Sequence, residues 1–509
     1  MNGNYSCQGC MAPCGVTRRQ LGLMALAGAG AAKAVAGASS LSADPARQQP
    51  IRLPLKVQPV LLYQFSKRRD KTSWRPWGGL MNEKDVAEEK QRIGSELEAA
   101  SKTGGFPMEI LPLATVSSDA EAASVAATPC DVRITYAASG GGKMLETLTA
   151  PGPRQLIFCR HRSGPAYLWY EIVHPRFLRK TVDEYGPTGM DVDDVVVDNQ
   201  NELVLRLRAL YALKNTLGKK IVCVGGASGW GAGGKKAPQL SRTIWKMDLP
   251  TVSYEELGAR LKKARADEAL LKRCQAQASQ YLKGKGVKLE TDRGFVDRAF
   301  LLKEIFLDLM GEAGTDSITV NQCMGTIMGI SETTACLPLS LLNDAGYMAF
   351  CESDFVVIPS GVLLHYISGS PVFLNDPTYP HDGMVTIAHC TAPRALDGKN
   401  LEPVRILTHF ESDYGASPKV EMRKGQKVTN LIPDFDMKKW VGFEGDVIDN
   451  PFLAICRSQT DITINGNQDQ VLREMRGFHW MTSYGSFLKE SAYAMKKLGV
   501  EFINASAKA

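Results

Sequence analysis

The sequence predicts a mixed α/β protein: two doubly wound α/β domains followed by a C-terminal antiparallel β-barrel-like domain. Three observations lead there. Between Pro59 and Ile367, short apolar runs alternate with segments whose apolar residues recur at helical spacing, as in a parallel sheet covered by helices. From Pro371 to about Asp461 the runs shorten and are separated by turn residues, the pattern of an antiparallel barrel or sandwich. The length, 509 residues at 44% hydrophobic and 22% charged, allows two or three domains with substantial cores. The formal charge of +6 is small for this length, and its lysines and arginines are interspersed with acids, so nucleic-acid binding is not indicated.

Residues 1–38 read as a twin-arginine signal peptide. Thr17-Arg18-Arg19-Gln20-Leu21 precedes an apolar run rich in Gly and Ala, and small-residue cleavage points follow at Ala34-Val35-Ala36 and Ala36-Gly37-Ala38. The run is shorter than the ~20 strongly apolar residues a membrane span needs, so no stable membrane insertion is expected. The implied partner is the twin-arginine export machinery, and the implied destination is periplasmic or otherwise extracytoplasmic. An internal leader that merely contains the arginine pair is the competing reading. Cys7, Cys10 and Cys14 fall in this segment and read as incidental. Of the other nine of the twelve cysteines, Cys159, Cys223, Cys351 and Cys456 end or adjoin strand-like apolar runs and read as buried thiols; the odd count without regular spacing argues against a disulfide framework, although one or two bridges stay open in an oxidising compartment.

Residues 39–58 read as a linker, polar and then Pro-interrupted. The first α/β domain, 59–240, opens with a buried strand at Pro59–Phe65. Helices are expected at Glu83–Ser101, Ala120–Ala127 and Asn199–Leu217, with strands at Met108–Leu113, Cys130–Tyr136, Gln155–Cys159 and Lys220–Val224. The glycine-rich stretch Gly225–Gly234 contains a formal G-x-G-x-x-G. Lys235, Lys236, Ala237 and Pro238 follow it where a dinucleotide fingerprint requires a helix, so it reads as a crevice loop or a structural crossover. In the second domain, 241–370, a strand at Thr243–Met247 precedes helices at Tyr254–Arg265, Ala266–Leu282 and Phe295–Gly311. A strand at Asp316–Val320 ends on Asn321-Gln322-Cys323-Met324, polar residues where ligand contacts often arise, and a helix at Leu337–Leu342 follows Glu332. The third domain, 371–509, holds strands at Val404–Phe410, Pro418–Met422, Gln426–Leu431, Lys439–Glu444 and Phe452–Cys456, and a terminal helix through Leu488, Ala492, Met495 and Leu498.

The stretch from Cys351 to Cys390 concentrates ionisable residues around two apolar runs. Glu352 and Asp354 precede the helical run Phe355–Ile367. A strand then delivers Asn375 and Asp376, and a second, Met384 to His389, carries His389 out of an apolar alternation. Two carboxylates and an imidazole suit a hard divalent cation, Mn²⁺ or Mg²⁺, where a thiol-rich set would point to zinc. The structural alternatives are that Glu352 and Asp354 cap the helix, that Asp376 is a turn residue before Pro377, and that His389 is a hydrogen-bonded core residue.

Glu352-Ser353-Asp354 before an apolar helix, then Phe373-x-x-Asp376, then a strand ending in His389-Cys390, resembles the L-fucose and L-arabinose isomerase family. Phe478-His479-Trp480-Met481-Thr482-Ser483-Tyr484-Gly485 with its following helix resembles that family's late block. The resemblance runs from about Asn321 to the C-terminus. It implies that Glu352 and Asp376 are the paired metal-binding and proton-transferring carboxylates, that His479 is a further metal ligand, that His389 is a site histidine, and that the C-terminal β domain caps the site. Asn375 stands where the arabinose branch has a glutamate, which fits the fucose-like arrangement better. Trp480 and Tyr484 are candidate sugar-stacking residues, or aromatic packing between helix and barrel. His409 and Glu411 either face the substrate or lie on a solvated strand edge.

The implied chemistry is aldose–ketose isomerisation through an ene-diol, with Mn²⁺ the expected cofactor, a small sugar the substrate and a homo-oligomer the expected assembly. The rival expectation is an exported, non-catalytic carbohydrate-binding protein on the same fold. A metal-dependent hydrolase or lyase is the third.

Overall fold

The computed structural model describes residues 49–65, 71, 79–179, 186, 189–507. The signal segment expected over 1–38, with its three cysteines and its arginine pair, lies outside the described residues, as does the first part of the expected linker.

Strands β1 (Leu55–Leu62), β2 (Met108–Ile110), β3 (Ala114–Val116), β4 (Val132–Ala137), β5 (Arg154–Cys159) and β6 (Val195–Val197) form one parallel sheet in the order β2-β1-β4-β5-β6, with β3 also paired to β1. β1 begins at Leu55, inside the stretch that reads as linker. It tolerates Pro59 at its centre because β2 pairs with Leu55 to Val57 and β3 with Val60 to Leu62. The N–H that proline lacks would have faced the gap between those two partners. The Gln58 amide fills part of that gap, donating to the carbonyls of Pro59 (2.8 Å) and Pro112 (3.0 Å). Helices Glu83–Thr103 and Gln200–Thr216 are started by Asn82 and Asn199, whose side chains accept first-turn N–H groups.

The second sheet contains β7 (Val222–Val224) and β8 (Thr251–Val252). The next strand, β9 (Val287–Leu289), leaves for a separate small sheet, and the chain returns through β10 (Ser317–Val320) and β11 (Met348–Cys351). All four strands are parallel, in the order β11-β10-β7-β8. The strand at Lys220–Val224, read with the first domain, therefore belongs to the second sheet. Its preceding helix Gln200–Thr216 packs against Ile358–Ser368 and so ties the two sheets together. The chain leaves β7 toward β8 on one side and returns to β10 on the other. A crevice consequently opens at the carboxyl ends of β7 and β10, the place where open α/β sheets bind ligands.

The C-terminal region adds β12 (Phe373–Pro377), β13 (Met384–His389), β14 (Val404–Leu407), β15 (Ser417–Val420), β16 (Lys427–Pro433), β17 (Lys439–Asp449), β18 (Ser458–Thr463), β19 (Trp480–Tyr484) and β20 (Glu501–Asn504). Six of these close an antiparallel barrel, β16-β19-β12-β13-β18-β17 and back to β16, and β20 adds in parallel to β17. Closure leaves the six strands without a free edge, as the strand-rich pattern of this region predicts. β14 and β15 stay outside the barrel, in a three-stranded sheet with β9.

Two expected strands are not formed. Thr243–Met247 is overridden by the helix Ala237–Ile244, which follows the glycine loop through a short 3₁₀ turn at Gly233–Lys236. Pro238 lies in its first turn, where a missing N–H leaves no hydrogen bond unmade. Phe452–Cys456 is a loop whose apolar residues Phe452 and Leu453 face solvent. Among the described residues no helix is long and apolar enough to cross a membrane.

Candidate metal and catalytic site

The crevice at the carboxyl edge of the second sheet faces one end of the barrel, and the ionisable residues of the Cys351–Cys390 stretch meet there. β11 ends at Cys351, and the helix Ile358–Ser368 begins only after a tight loop that holds Glu352 and Asp354. Neither carboxylate caps that helix, as the sequence pattern suggested; the residue at its start is Val357, which makes no side-chain cap. Glu352 (φ 61°) and Ser353 (φ 48°) are both left-handed. That conformation costs a non-glycine residue about 1–2 kcal/mol, and such strain persists where surrounding contacts over-determine it.

The glycine-rich loop after β7 supplies those contacts. Ser228 N–H donates to Ser353 O (3.1 Å), Phe355 N–H donates to Ser228 O (3.0 Å), and Trp230 N–H donates to Asp354 Oδ1 (3.0 Å). The loop folds tightly enough that a Cβ on Gly229 would lie 2.1 Å from the Gly234 carbonyl oxygen. Its glycines thus serve a close backbone approach that braces the Glu352 loop.

Asp354 is buried, and its two oxygens have distinct tasks. Oδ1 accepts Trp230 N–H and Val356 N–H, each at 3.0 Å, and Oδ2 lies 2.7 Å from His479 Nδ1. A carboxylate can only accept, so His479 Nδ1 carries the hydrogen and its Nε2 is aimed into the crevice. There Nε2 is 3.3 Å from Glu352 Oε2 and 3.2 Å from Asp376 Oδ1, neither on the line of a ring N–H bond. His389, at the end of β13, brings its Nε2 to 3.8 Å from Glu352 Oε1, while its Nδ1 is held by Thr391 Oγ1 at 3.0 Å. Glu352, His389 and His479 each present a ligand atom within 4.8 Å of the others.

This donor set fits a hard divalent cation. Metal–ligand bonds of about 2.1 Å at right angles place neighbouring ligand atoms about 3.0 Å apart, close to the separations of His479 Nε2 from Glu352 and from Asp376. Buried His479 Nε2 and Asp376 Oδ1 meet only as a charge contact without an aligned hydrogen bond, a geometry that a shared cation would complete. A carboxylate behind the histidine, as Asp354 stands behind His479, is the usual support of a metal-ligating imidazole.

Electrostatics separate the two carboxylates. Burial pushes Asp376 up to about 6, against the pull of His389 and His479. Burial also works to raise Glu352, but ion pairing with His479 and the charge of His389 outweigh it and hold the group below the usual range. For His479, burial disfavours the imidazolium; pairing with Asp354 and Glu352 and the charge of Asp376 overcome this and push it up to about 10.

Of the expected site residues, Glu352, Asp376, His479 and His389 are brought together. The mutually close set includes His389, expected as a site histidine outside the metal set, while Asp376 approaches chiefly through His479. Asn375 is not in the site. Neighbours on a strand face opposite ways, and its side chain turns into the barrel, donating to Phe373 O (2.8 Å) and Thr482 Oγ1 (2.9 Å). Trp480 is likewise turned away by the alternation of β19 and packs edge-on against Phe443 in the barrel interior. Tyr484 is buried with its hydroxyl on Arg423 N–H (3.1 Å) and Glu402 (3.4 Å). His409 is a buried turn residue 3.1 Å from Ser412 Oγ, Glu411 is exposed, and Glu332 pairs with Arg265 at 3.2 Å; none reaches the site. The aromatic surface beside the site comes instead from Trp230 stacked on Phe478, with centroids 4.1 Å apart and both rings part-exposed. The sequence signals for this pair were a tryptophan inside a glycine loop and an aromatic residue directly before His479.

Comparison of the chain with protein-family models and with curated proteins returns no match.

Proposed function

We propose that the protein is a metal-dependent aldose–ketose isomerase of the fucose and arabinose type, acting through an ene-diol. The observation that supports this most is the convergence of Glu352, Asp376, His389 and His479, from separate elements, on one crevice with Asp354 behind His479. Glu352, His389 and His479 would hold the cation, with Asp376 beside them. A cation held there would supply positive charge to the oxygens carried by the two carbons between which the hydrogen moves.

The chain's own residues divide the remaining work. Glu352, held ionised, is suited to take the proton from carbon, and Asp376, whose carboxyl burial pushes up to about 6, is suited in its protonated form to give a proton to the neighbouring carbon; a proton passing from Glu352 to Asp376 then restores the starting state of the pair. Asp354 fixes the His479 ring, and the stacked Trp230 and Phe478 offer an apolar face to the C–H side of a sugar ring.

The test is turnover of a panel of aldoses by the purified full chain, with and without Mn²⁺, alongside Glu352→Gln. Ketose formation that requires metal and disappears in the variant supports the isomerase. Tight sugar binding without metal and without turnover overturns it in favour of a carbohydrate-binding protein. The same proposal keeps residues 1–38 as an export signal, and N-terminal sequencing of the mature protein beginning near residue 39 is the result that supports it.

A further inference from the structure

The histidine–carboxylate set is not the only ligand group at this edge of the sheet. β10 and β11 are parallel neighbours in register at Val320 and Cys351, so their carboxyl ends open side by side into the crevice. β10 continues into Asn321, into Gln322 in the left-handed conformation (φ 47°), and then into a π-helical turn, Cys323–Ile327. That turn returns Cys323 toward the end of β11. The Cys323 and Cys351 sulfurs and a Glu352 oxygen lie within 4.8 Å of one another. Cys351 is buried and Cys323 half-buried, with exposed Met324 beside it, so the group is open to solvent from the Cys323 side. π-helical turns of this kind gather at functional sites.

We propose that Cys323, Cys351 and Glu352 form a second metal site, selective for a thiophilic divalent cation such as Zn²⁺ or Cd²⁺, that shares Glu352 with the histidine site. The chemistry of the donors separates the two: paired thiolates favour soft cations, whereas carboxylates and imidazole suit a hard one. Bonds of about 2.3 Å in a tetrahedron place two sulfurs about 3.8 Å apart, within the spread of these ligand atoms. Binding transfers both thiol protons to solvent as the sulfurs become thiolates. Because one carboxylate serves both groups, a cation held by the thiols draws Glu352 away from the histidines. The proposal goes beyond the isomerase reading and does not depend on it, since the thiol group binds or fails to bind whatever the histidine site does.

The probe is Cd²⁺, read by the ultraviolet thiolate-to-cadmium absorption. It is added to the reduced full chain carrying Cys7→Ser, Cys10→Ser and Cys14→Ser, which removes the leader thiols. A band that saturates at one cation per chain, vanishes in Cys323→Ser and persists in Cys456→Ser supports the site. Cys323 is half-buried, and unchanged circular dichroism of its serine variant separates loss of the site from loss of fold. A band that keeps its amplitude and midpoint in Cys323→Ser overturns the proposal, as does no band in the parent protein.

Discussion

Asp354→Asn isolates the support of His479 from its ligand atoms. Asp354 now accepts three N–H groups with two oxygens: Trp230 and Val356 on Oδ1, His479 on Oδ2. An amide has one accepting oxygen and one donating nitrogen. With its oxygen toward the two backbone donors, its NH₂ faces His479 Nδ1; the ring then moves its hydrogen to Nε2 and cannot ligate there. Turned over, it restores His479 but points NH₂ at two backbone donors. With a cation on Nε2, either arrangement leaves at least one buried polar group opposed, a cost of about 1–3 kcal/mol to the bound state. Loss of such support typically weakens metal binding 10–100-fold, about 1.4–2.7 kcal/mol. The two routes agree, so Mn²⁺ affinity is expected to fall by that factor. Titration followed by the electron paramagnetic resonance signal of free Mn²⁺ reads it directly, with circular dichroism confirming the fold. Affinity within twofold of the parent protein would refute the reasoning that His479 is a ligand oriented by Asp354.

Four further outcomes are expected. In the metal-free protein His479 is protonated at neutral pH, so cation binding must displace that proton. Affinity should therefore rise with pH by about tenfold per unit from pH 7 toward 9. Calorimetry at pH 7.5 in buffers of different ionisation enthalpy should show about one proton released per cation, and no release would contradict the assignment. Without metal, the raised His479 contributes stability that is complete below its unfolded value of about 6.5 and is lost as pH rises through about 10. Gly229→Ala, whose Cβ would meet the Gly234 backbone carbonyl, should force the loop to shift, displace Trp230 N–H from Asp354, weaken Mn²⁺ binding and lower the thermal midpoint; unchanged affinity in a folded variant would separate the glycine loop from the site. In the first sheet, Arg160 is fully buried between Glu89 and a two-pronged pair with Glu96 (3.0 and 2.8 Å). Arg160→Met should cost about 1–3 kcal/mol, because buried Glu89 then keeps only Arg92 and the Tyr167 hydroxyl as partners and Glu96 loses its two-pronged pair, measured as a lower midpoint of chemical denaturation.

The parts of this protein that were legible in the sequence are those set by local periodicity. Alternating strands and helices, the change to short strands after Pro371 and the helix Tyr254–Arg265 follow from side-chain spacing along one segment, and they recur in the structure. Sheet membership did not follow, because whether β7 joins β6 or β10 depends on how helix Gln200–Thr216 packs against Ile358–Ser368, a contact between segments far apart in the chain. The site divides in the same way. Glu352, Asp376, His389 and His479 stood out as ionisable residues at the ends of apolar runs. Asn375 and Trp480 were misplaced by one strand position, since a single step along a strand reverses the face. Asp354 read as a helix cap because a carboxylate before an apolar run usually is one; only the folded chain brings Trp230 N–H and His479 to it.

The charge balance of the site explains why its parts belong together. Three carboxylates, Glu352, Asp354 and Asp376, gather around the buried His479, and in the free protein the imidazolium is the positive charge they share. Burial disfavours the imidazolium, and the field of those acids overcomes it and pushes His479 up to about 10. That field acts on any cation that reaches the crevice. A divalent ion that takes the place of the His479 proton brings one more positive charge into the same field and gains the freed Nε2 as a ligand. Asp354, kept away from the cation by the ring itself, continues to neutralise the imidazole from behind. The strained Glu352 loop and the glycine loop that braces it are therefore parts of one electrostatic device, and perturbing either should register in cation binding.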